Sequence, residues 1–341
     1  MYHVRFRGDH YGIGYRYGAS LFKHRLRLLE HVPFPITQER RDFARACLAV
    51  YQAFFPEILE ELRGLAEGQR CDCSEMQAVL LSMYAIPPAC GCSCFAAANA
   101  EHIFLCRNSD FLTALEKLNT NVIYKFTDGA YSFTGNTTAF VEVEDGVNEH
   151  GLAVGLTSVY PTVVGPGFNA GMLLRFFLEK CRTTKEVIAN IRRLPVGSAQ
   201  TITVADAGGN IAVIECNAKK TVVLYPFAGQ PFVCATNIFH SEEMLAFRDP
   251  TVDNWQSEQR YRTLTQTLSA PGSRIDLSFA KDLLSGKNGF LCQYDRSTGK
   301  DTVWSVIYDL KEKAVYRAEG NPGRKMFAAD ARFPIKLTAT R

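Results

Sequence analysis

Three cysteines alternate along one short stretch of this chain, and an arginine and an aspartate follow them closely. Ala89 to Asp110 reads ACGCSCFAAANAEHIFLCRNSD. Small and apolar residues alternate, a turn falls at Asn99-Ala100-Glu101, and the alternation resumes through Ile103, Phe104 and Leu105. That pattern predicts a β-hairpin with Cys90, Cys92 and Cys94 on one face of its first strand. The second strand ends in Arg107-Asn108-Ser109-Asp110 and carries those charges back toward the thiols. A thiol flanked by a guanidinium and a carboxylate is the equipment of a nucleophile.

Three uses compete for these cysteines. A structural zinc site needs four ligands closing around one point, usually from C-x₂₋₄-C knuckles. Cys71 and Cys73, like the trio at 90–94, are separated by single residues and form a row along a strand, so no metal is expected. Cys47, Cys106, Cys181, Cys216, Cys234 and Cys292 read as small buried hydrophobes, as do two of the trio. Cys92 differs because Gly91 precedes it, and glycine admits backbone geometries closed to other residues. Cleavage between Gly91 and Cys92 makes Cys92 N-terminal. Its own α-amine, with an ordinary pKa of about 7.7–8.0, can then act as base for its thiol, as in N-terminal threonine hydrolases. The alternative base is His240, after a strand end, which gives an unprocessed Cys-His hydrolase using Cys92 or Cys94. A non-catalytic zinc module is the third reading.

The elements that must position this hairpin divide at Pro87-Pro88. Before it the chain reads as helical. Gly12, Gly14 and Gly18 predict a turn into a helix over Ala19 to Glu30. Thr37 caps a second helix carrying Phe43, Ala46, Cys47, Val50, Tyr51 and Phe54 at helical spacing. Pro56 opens a third over Glu57 to Ala66, and Ser74-x-x-Gln77 reads as a capping box before a fourth through Met83. Beyond the hairpin, strands are expected at Asn121–Phe126, Tyr131–Thr134, Ala139–Val143 and Leu152–Val159, with a turn over Asp145 to Gly151. Helices follow at Met172–Cys181 and Thr184–Arg193. Strands at Thr201–Ala205, Asn210–Cys216, Thr221–Tyr225 and Phe232–Ala235 come next, then a helix over Ser257–Leu268 and strands at Val303–Tyr308 and Ala314–Ala318. This is an α+β layout of packed sheets with helices outside.

Composition narrows the function classes. The 341 residues carry a net charge of +3 with both signs interspersed, which gives no basic footprint for nucleic acid or an anionic membrane. MYHVRFRGDHYG lacks the apolar core of a secretory signal, and no apolar run is long enough to span a bilayer. Eleven cysteines then fit a reducing, cytoplasmic setting better than a disulfide framework.

Six short motifs in order give the chain a family likeness. FRGDHYGIGYRYG, Gly91-Cys92-Ser93, Arg107-Asn108-x-Asp110, DGVNEHGLAVGL, Ala235-Thr236-Asn237 and Arg260-Tyr261-Arg262 together resemble the isopenicillin-N acyltransferase family of self-processing N-terminal-nucleophile hydrolases. The chain is more distantly similar to the bile-salt and penicillin V amidases. The resemblance implies a four-layer α-β-β-α sandwich with a helical N-terminal pro-segment, residues 1–91, bound to a catalytic chain, residues 92–341. It implies Cys92 as nucleophile and Gly91–Cys92 as processing site. Asp110 would position the α-ammonium, Arg107 would favour thiolate, Asn237 would donate to the oxyanion, and Arg260 would hold the carboxylates of site or substrate. Gly155-Leu156-Thr157-Ser158 departs from the bile-salt amidases, which carry an asparagine there, so Thr157 and Ser158 become oxyanion-hole candidates. The expected substrate is a small-molecule amide, with an acyl thioester of CoA as the alternative donor. No cofactor, nucleic acid or membrane partner is expected, and a homo-oligomer is left open.

Overall fold

The computed structural model describes residues 1–86, 91–227, 229–272 and 274–336; the expected boundary at Pro87-Pro88 and Cys90 lie outside them. The N-terminal segment opens with a strand, β1 (Tyr2–Gly8), and continues through α1 (His10–Lys23), α2 (Gln38–Phe54), α3 (Pro56–Gln69) and α4 (Cys73–Ser82). The hairpin follows as β2 (Gly91–Ala98) and β3 (Ile103–Leu112), then β4 (Thr120–Phe126), β5 (Phe133–Thr137), β6 (Asp145–Asn148) and β7 (Ala153–Ser158). Next come α5 (Ala170–Lys180), α6 (Thr184–Ile191), β8 (Gln200–Ala205), β9 (Ile211–Cys216), β10 (Thr221–Leu224) and β11 (Phe232–Ala235). The chain closes with α7 (Ser257–Leu268), α8 (Leu277–Leu284), β12 (Lys300–Asp309), β13 (Ala314–Ala318) and β14 (Ala328–Ala329).

Two sheets form, an eight-stranded one ordered β1-β4-β5-β6-β7-β8-β9-β10 and a six-stranded one ordered β11-β2-β3-β12-β13-β14. Strand alternation decides what each face meets. Cys94, Ala96, Leu105, Val306 and Tyr308 of the smaller sheet pack on Val147, Ala153, Ala205 and Val213 of the larger. The opposite faces take helices. Val122, Phe133, Val154 and Ile202 lie under Ile13, Leu62, Leu173 and Phe177, while Phe95, Phe104 and Ile307 lie under Leu264, Leu283 and Leu284. Helix, sheet, sheet, helix is the expected α-β-β-α order.

The N-terminal segment departs from its expected form. It is not wholly helical, because β1 runs parallel to β4 at the end of the larger sheet, Tyr2 opposite Thr120 through Gly8 opposite Phe126. Its glycines form no turn. Asp9 caps α1 by accepting from the Gly12 amide, and Gly14 and Gly18 lie inside that helix against Gly64 and Gly68 of α3. A methyl at Gly14 would come within 2.0 Å of the Glu61 carbonyl oxygen, and one at Gly68 within 2.3 Å of that of Tyr15. The two backbones meet where side chains are missing, as small-xxx-small helix pairs do. At α4 the cap is Asp72, accepting from the Ser74 amide, rather than Ser74 itself.

One stretch near the site reverses the expectation. Residues 138–144 form an irregular loop, with Phe140 at φ +59°, and β6 occupies Asp145–Asn148 where a turn was expected. Ala139, Val141 and Val143 are buried in the helical layer's core, so the loop shows strand-like alternation without strand pairing.

Candidate active site

β2 and β3 place the thiol and its cation by register alone. Gly91 pairs with Asp110, Cys92 with Ser109 and Cys94 with Arg107, so Cys92 and Arg107 project from the same face. Arg107 is fully buried and donates through Nη2 to Cys92 Sγ at 2.9 Å. Its Nη1 donates to Asp145 Oδ2 at 2.9 Å, its Nε to the Leu156 carbonyl at 2.8 Å, and Glu144 Oε2 stands 3.3 Å from Nη2. Burial works against this cation, but Cys92, Asp145 and Glu144 hold its pKa well above the ordinary guanidinium range. A fixed cation beside sulfur favours thiolate over thiol.

The main chain of Cys92 is gripped from the other side. Its amide donates to Asn237 Oδ1 at 2.7 Å, and Asn237 is delivered by the residues just past β11. Arg260, buried in α7, donates through Nη1 to the Cys92 carbonyl and to Ser93 Oγ at 3.0 Å, and through Nη2 to Asn237 Oδ1 at 2.8 Å. With two donors on its oxygen, Asn237 turns its amide nitrogen to the Ser158 carbonyl at 2.8 Å. Asp110, opposite Gly91, accepts from Thr302 Oγ1 at 2.6 Å and from the Tyr294 hydroxyl at 2.9 Å, with Arg260 Nη1 at 3.7 Å. Burial raises its pKa above the usual carboxylate value, opposed by Arg260 and these hydroxyls.

Cys92, Arg107 and Asp110 lie at a cavity of about 230 Å³ whose walls are mostly apolar. Leu115, Leu118, Phe140 and Leu156 come from the body, and Tyr17, Leu21, Leu26, Leu28, Phe34, Met83 and Tyr84 from the N-terminal segment. Ser158 and Glu144 are also on the wall.

The structure thus gathers Gly91, Cys92, Arg107, Asp110, Asn237, Arg260 and Ser158 into one cluster. Thr157 stands apart, its hydroxyl bonded to Thr201 Oγ1 and, at 3.0 Å, to the Thr236 carbonyl, so it is inter-strand glue. His240, the alternative base, is occupied elsewhere. The His240 ring stacks on Tyr261 at 3.4 Å, its Nδ1 lies 3.4 Å from Arg248 Nη2, and its buried Nε2 has no hydrogen-bond partner among the described residues. Burial and Arg248 push its pKa down to about 3. Cys94 faces the packed inter-sheet core, where burial pushes its thiol up to about 12. Among the described residues no group of three His, Cys, Asp or Glu side chains could hold a metal, and no helix is long and apolar enough to cross a membrane.

Sequence reasoning missed Glu144, Asp145, Tyr294 and Thr302. Asp145 is the carboxylate on which the arrangement turns, since it accepts from Arg107, Trp304 Nε1 at 2.9 Å, Tyr308 at 2.7 Å and Asn136 at 2.6 Å. The available signal was need: a strand arginine facing the core requires an acid, and Glu144-Asp145 is an adjacent acidic pair beside an apolar run.

Comparison with known proteins bears on the same region. Residues 97–324 match the family described as acyl-coenzyme A:6-aminopenicillanic acid acyl-transferase, a span that begins downstream of Cys92. No curated protein matches the chain. Among solved structures, the chain is similar to an N-acylethanolamine-hydrolyzing acid amidase ortholog from Caenorhabditis elegans, at 21% identity and TM-score 0.48 over 64% of this chain and 93% of that one. It is also similar to penicillin V acylase from Agrobacterium tumefaciens, at 14% identity and TM-score 0.40 over 67% of this chain and 82% of that one. A conjugated bile acid hydrolase from Clostridium perfringens gives 11% identity and TM-score 0.39 over 73% and 99%.

Proposed function

The chain belongs to the acyl-coenzyme A:6-aminopenicillanic acid acyl-transferase family, and from that premise we propose that it is a self-processing N-terminal cysteine hydrolase of linear amides. The observation that carries this reading is the double grip on Cys92: a buried guanidinium on its sulfur and an asparagine oxygen on its nitrogen. A core cysteine needs neither.

That geometry supports self-cleavage by the following steps. Sγ attacks the carbonyl carbon of Gly91, the Gly91–Cys92 C–N bond breaks as the nitrogen takes up the thiol proton, and water hydrolyses the resulting thioester. The products are a Gly91 carboxylate and a free Cys92 with thiol and α-amine. In turnover the α-amine, kept in place by Asn237 Oδ1, accepts the thiol proton while Arg107 stabilises the thiolate. Sγ adds to the substrate carbonyl, the amine leaves with the proton held by the α-ammonium, and water releases the acyl group. Asn237 Nδ2 reaches the oxyanion by exchanging its bond to the Ser158 carbonyl, with the Ser158 hydroxyl as the second donor; one such donor is commonly worth about 2.7–4 kcal/mol. Asp110 serves as the buried acid opposite the processing site, and Arg260 fixes Cys92 and Asn237 relative to each other.

The mostly apolar cavity wall supports an amide with an apolar acyl group, the charged lining of Arg107, Asp110 and Glu144 being gathered beside the thiol. Those walls also support retention of residues 1–91 after cleavage, because α1, the following segment and Met83–Tyr84 build much of them. β1 in the larger sheet and the buried Arg175–Glu61 pair at 2.6 Å tie that segment to the body. A second reading, transfer of the acyl group from a CoA thioester to an amine, is supported by the family's own description. A rapid quench with a linear acyl amide, read by denaturing mass spectrometry, tests the first. The expected result is one acyl increment on the fragment beginning at Cys92 and none in Cys92→Ala. Turnover by a full-length chain without such an adduct would reject it.

A further inference from the structure

Trp255 stands over the peptide to be cleaved. A methyl group added at Gly91 would meet the indole Cε3 at 2.9 Å, Cδ2 at 3.2 Å and Asp110 Cβ at 3.2 Å. A real Cβ does not approach this closely, and neither neighbour is the free end of a flexible chain. The indole is 3% exposed, and its backbone is pinned. Trp255 and Gln256 both hold left-handed conformations, at φ +54° and +59°, a region that L residues adopt at a steric cost. The Trp255 amide donates to Asp253 Oδ1 at 3.0 Å, and its carbonyl accepts from Arg260 Nε at 2.9 Å. Lys300 Nζ lies 4.9 Å from the ring centroid, and the Tyr294 ring meets it at 69°. Strained segments of this kind persist where the surroundings over-determine them. Here those surroundings are Arg260 and Tyr294, which also hold Cys92, Asn237 and Asp110.

We propose that Trp255 is a specificity-determining residue: its indole closes the position on the acyl α-carbon that an L-Cβ would take at Gly91 and rejects a substituent there. The inference rests on the self-processing reading above. In self-cleavage the acyl group is the peptide's own, and Gly91 Cα is its α-carbon. In turnover the same sulfur attacks the substrate carbonyl, and the substrate's α-carbon takes the place Gly91 has left. Asp110, the second wall a Cβ would strike, also lines the apolar cavity, so the vacated space adjoins the pocket for the rest of the acyl chain. The favoured substrate is then a straight-chain acyl amide, and an α-methyl group standing where an L-Cβ would is excluded.

Two measurements on the full chain test this. Purified precursors are followed by intact mass for cleavage at residue 91, comparing wild type, Gly91→Ala and Gly91→Ala with Trp255→Ala. The mature wild type and Trp255→Ala enzymes are then assayed for kcat/KM on an n-hexanoyl amide and on the single 2-methylhexanoyl enantiomer whose methyl takes the L-Cβ position. Expected are at least a tenfold slower cleavage for Gly91→Ala, recovery of most of that loss in the double variant, and a hexanoyl preference of roughly a hundredfold that falls to a few-fold in Trp255→Ala. General damage to the fold would lower both substrates together and leave the ratio unchanged. If Trp255→Ala does not fold, Gly91→Ala and the wild-type ratio still decide. Unimpeded cleavage of Gly91→Ala, or equal use of the two amides, overturns the proposal. A wild type that stays full length while hydrolysing amides removes the self-processing reading itself.

Discussion

Among the buried arginines of the described residues, Arg107 and Arg175 each meet two carboxylates, and only Arg107 also meets a thiol. Arg175 donates to Glu179 Oε1 at 2.7 Å and to Glu61 Oε2 at 2.6 Å, with Tyr124 and the Val141 carbonyl taking the rest of its fork. Arg107 meets Asp145 and Glu144 similarly, but one nitrogen also reaches a thiol, and that thiol opens onto a cavity. Both guanidinium pKa values are pushed well above the ordinary range by these acids, against the effect of burial. Burial, charge count and pKa direction therefore do not separate them. What separates them is a reactive atom on one donor and space for a ligand beside it. Arg175 joins the N-terminal segment, through Glu61, to α5; Arg107 holds the Cys92 thiol.

That contrast can be broken or sharpened by substitution. Cys92→Ala should have the largest effect, abolishing self-cleavage and lowering kcat by roughly 10⁴-fold or more; intact mass and amide hydrolysis measure both. Arg107→Met should lower kcat by roughly 10²–10³-fold in whatever folds. It should also cost about 3–5 kcal/mol of stability by stranding Asp145 and Glu144. Arg175→Met should carry the same order of stability loss, about 3–5 kcal/mol, because Glu61 loses its buried cation and Glu179 keeps only His10 among the described residues. Its kcat per folded molecule should stay within a few-fold of wild type. Equal kcat losses in the two variants, measured on titrated active sites, would erase the distinction.

A smaller effect tests the anchoring cluster alone. His10 lies between Asp128 Oδ2 at 2.6 Å and Glu179 Oε2 at 2.8 Å. Burial opposes its protonation, yet Glu179 and Asp128 raise its pKa to about 9. A folded-state pKa raised from 6.5 means that its stabilisation is fully present below pH 6.5 and is lost as pH rises through about 9. Urea denaturation should show a wild-type advantage over His10→Gln of up to roughly 3 kcal/mol at pH 6, fading by pH 9.5. A pH-independent difference would mean that His10 only packs. The smallest effect belongs to His240→Ala, whose kcat should change by no more than about threefold, because the neutral ring is stacked on Tyr261.

Much of the smaller sheet and its helix was readable because local rules suffice there. Strand alternation placed Cys92 and Cys94 on one face and the hairpin brought Arg107 back toward them, and β11, α7 and β13 fall on their expected bounds. Three features were not readable, each for a physical reason. β1 is a strand because β4 pairs with it, a partner distant in sequence. Gly14 and Gly18 look like turn formers until Gly64 and Gly68 supply a helix that needs their missing side chains. Glu144 and Asp145 look like solvated turn residues until Arg107 arrives from another sheet. In each case the deciding partner is remote, so no window of sequence contains it. Trp255 belongs with these, since its meaning depends on lying over Gly91.

The central claim is that Cys92 becomes an N-terminal nucleophile. Intact-mass spectrometry of the purified chain under denaturing conditions, beside Cys92→Ala, tests it most directly. Two fragments meeting at Gly91 and Cys92 are expected in the wild type, and one full-length mass in the variant. A single full-length mass from a wild-type preparation that hydrolyses amides would contradict it.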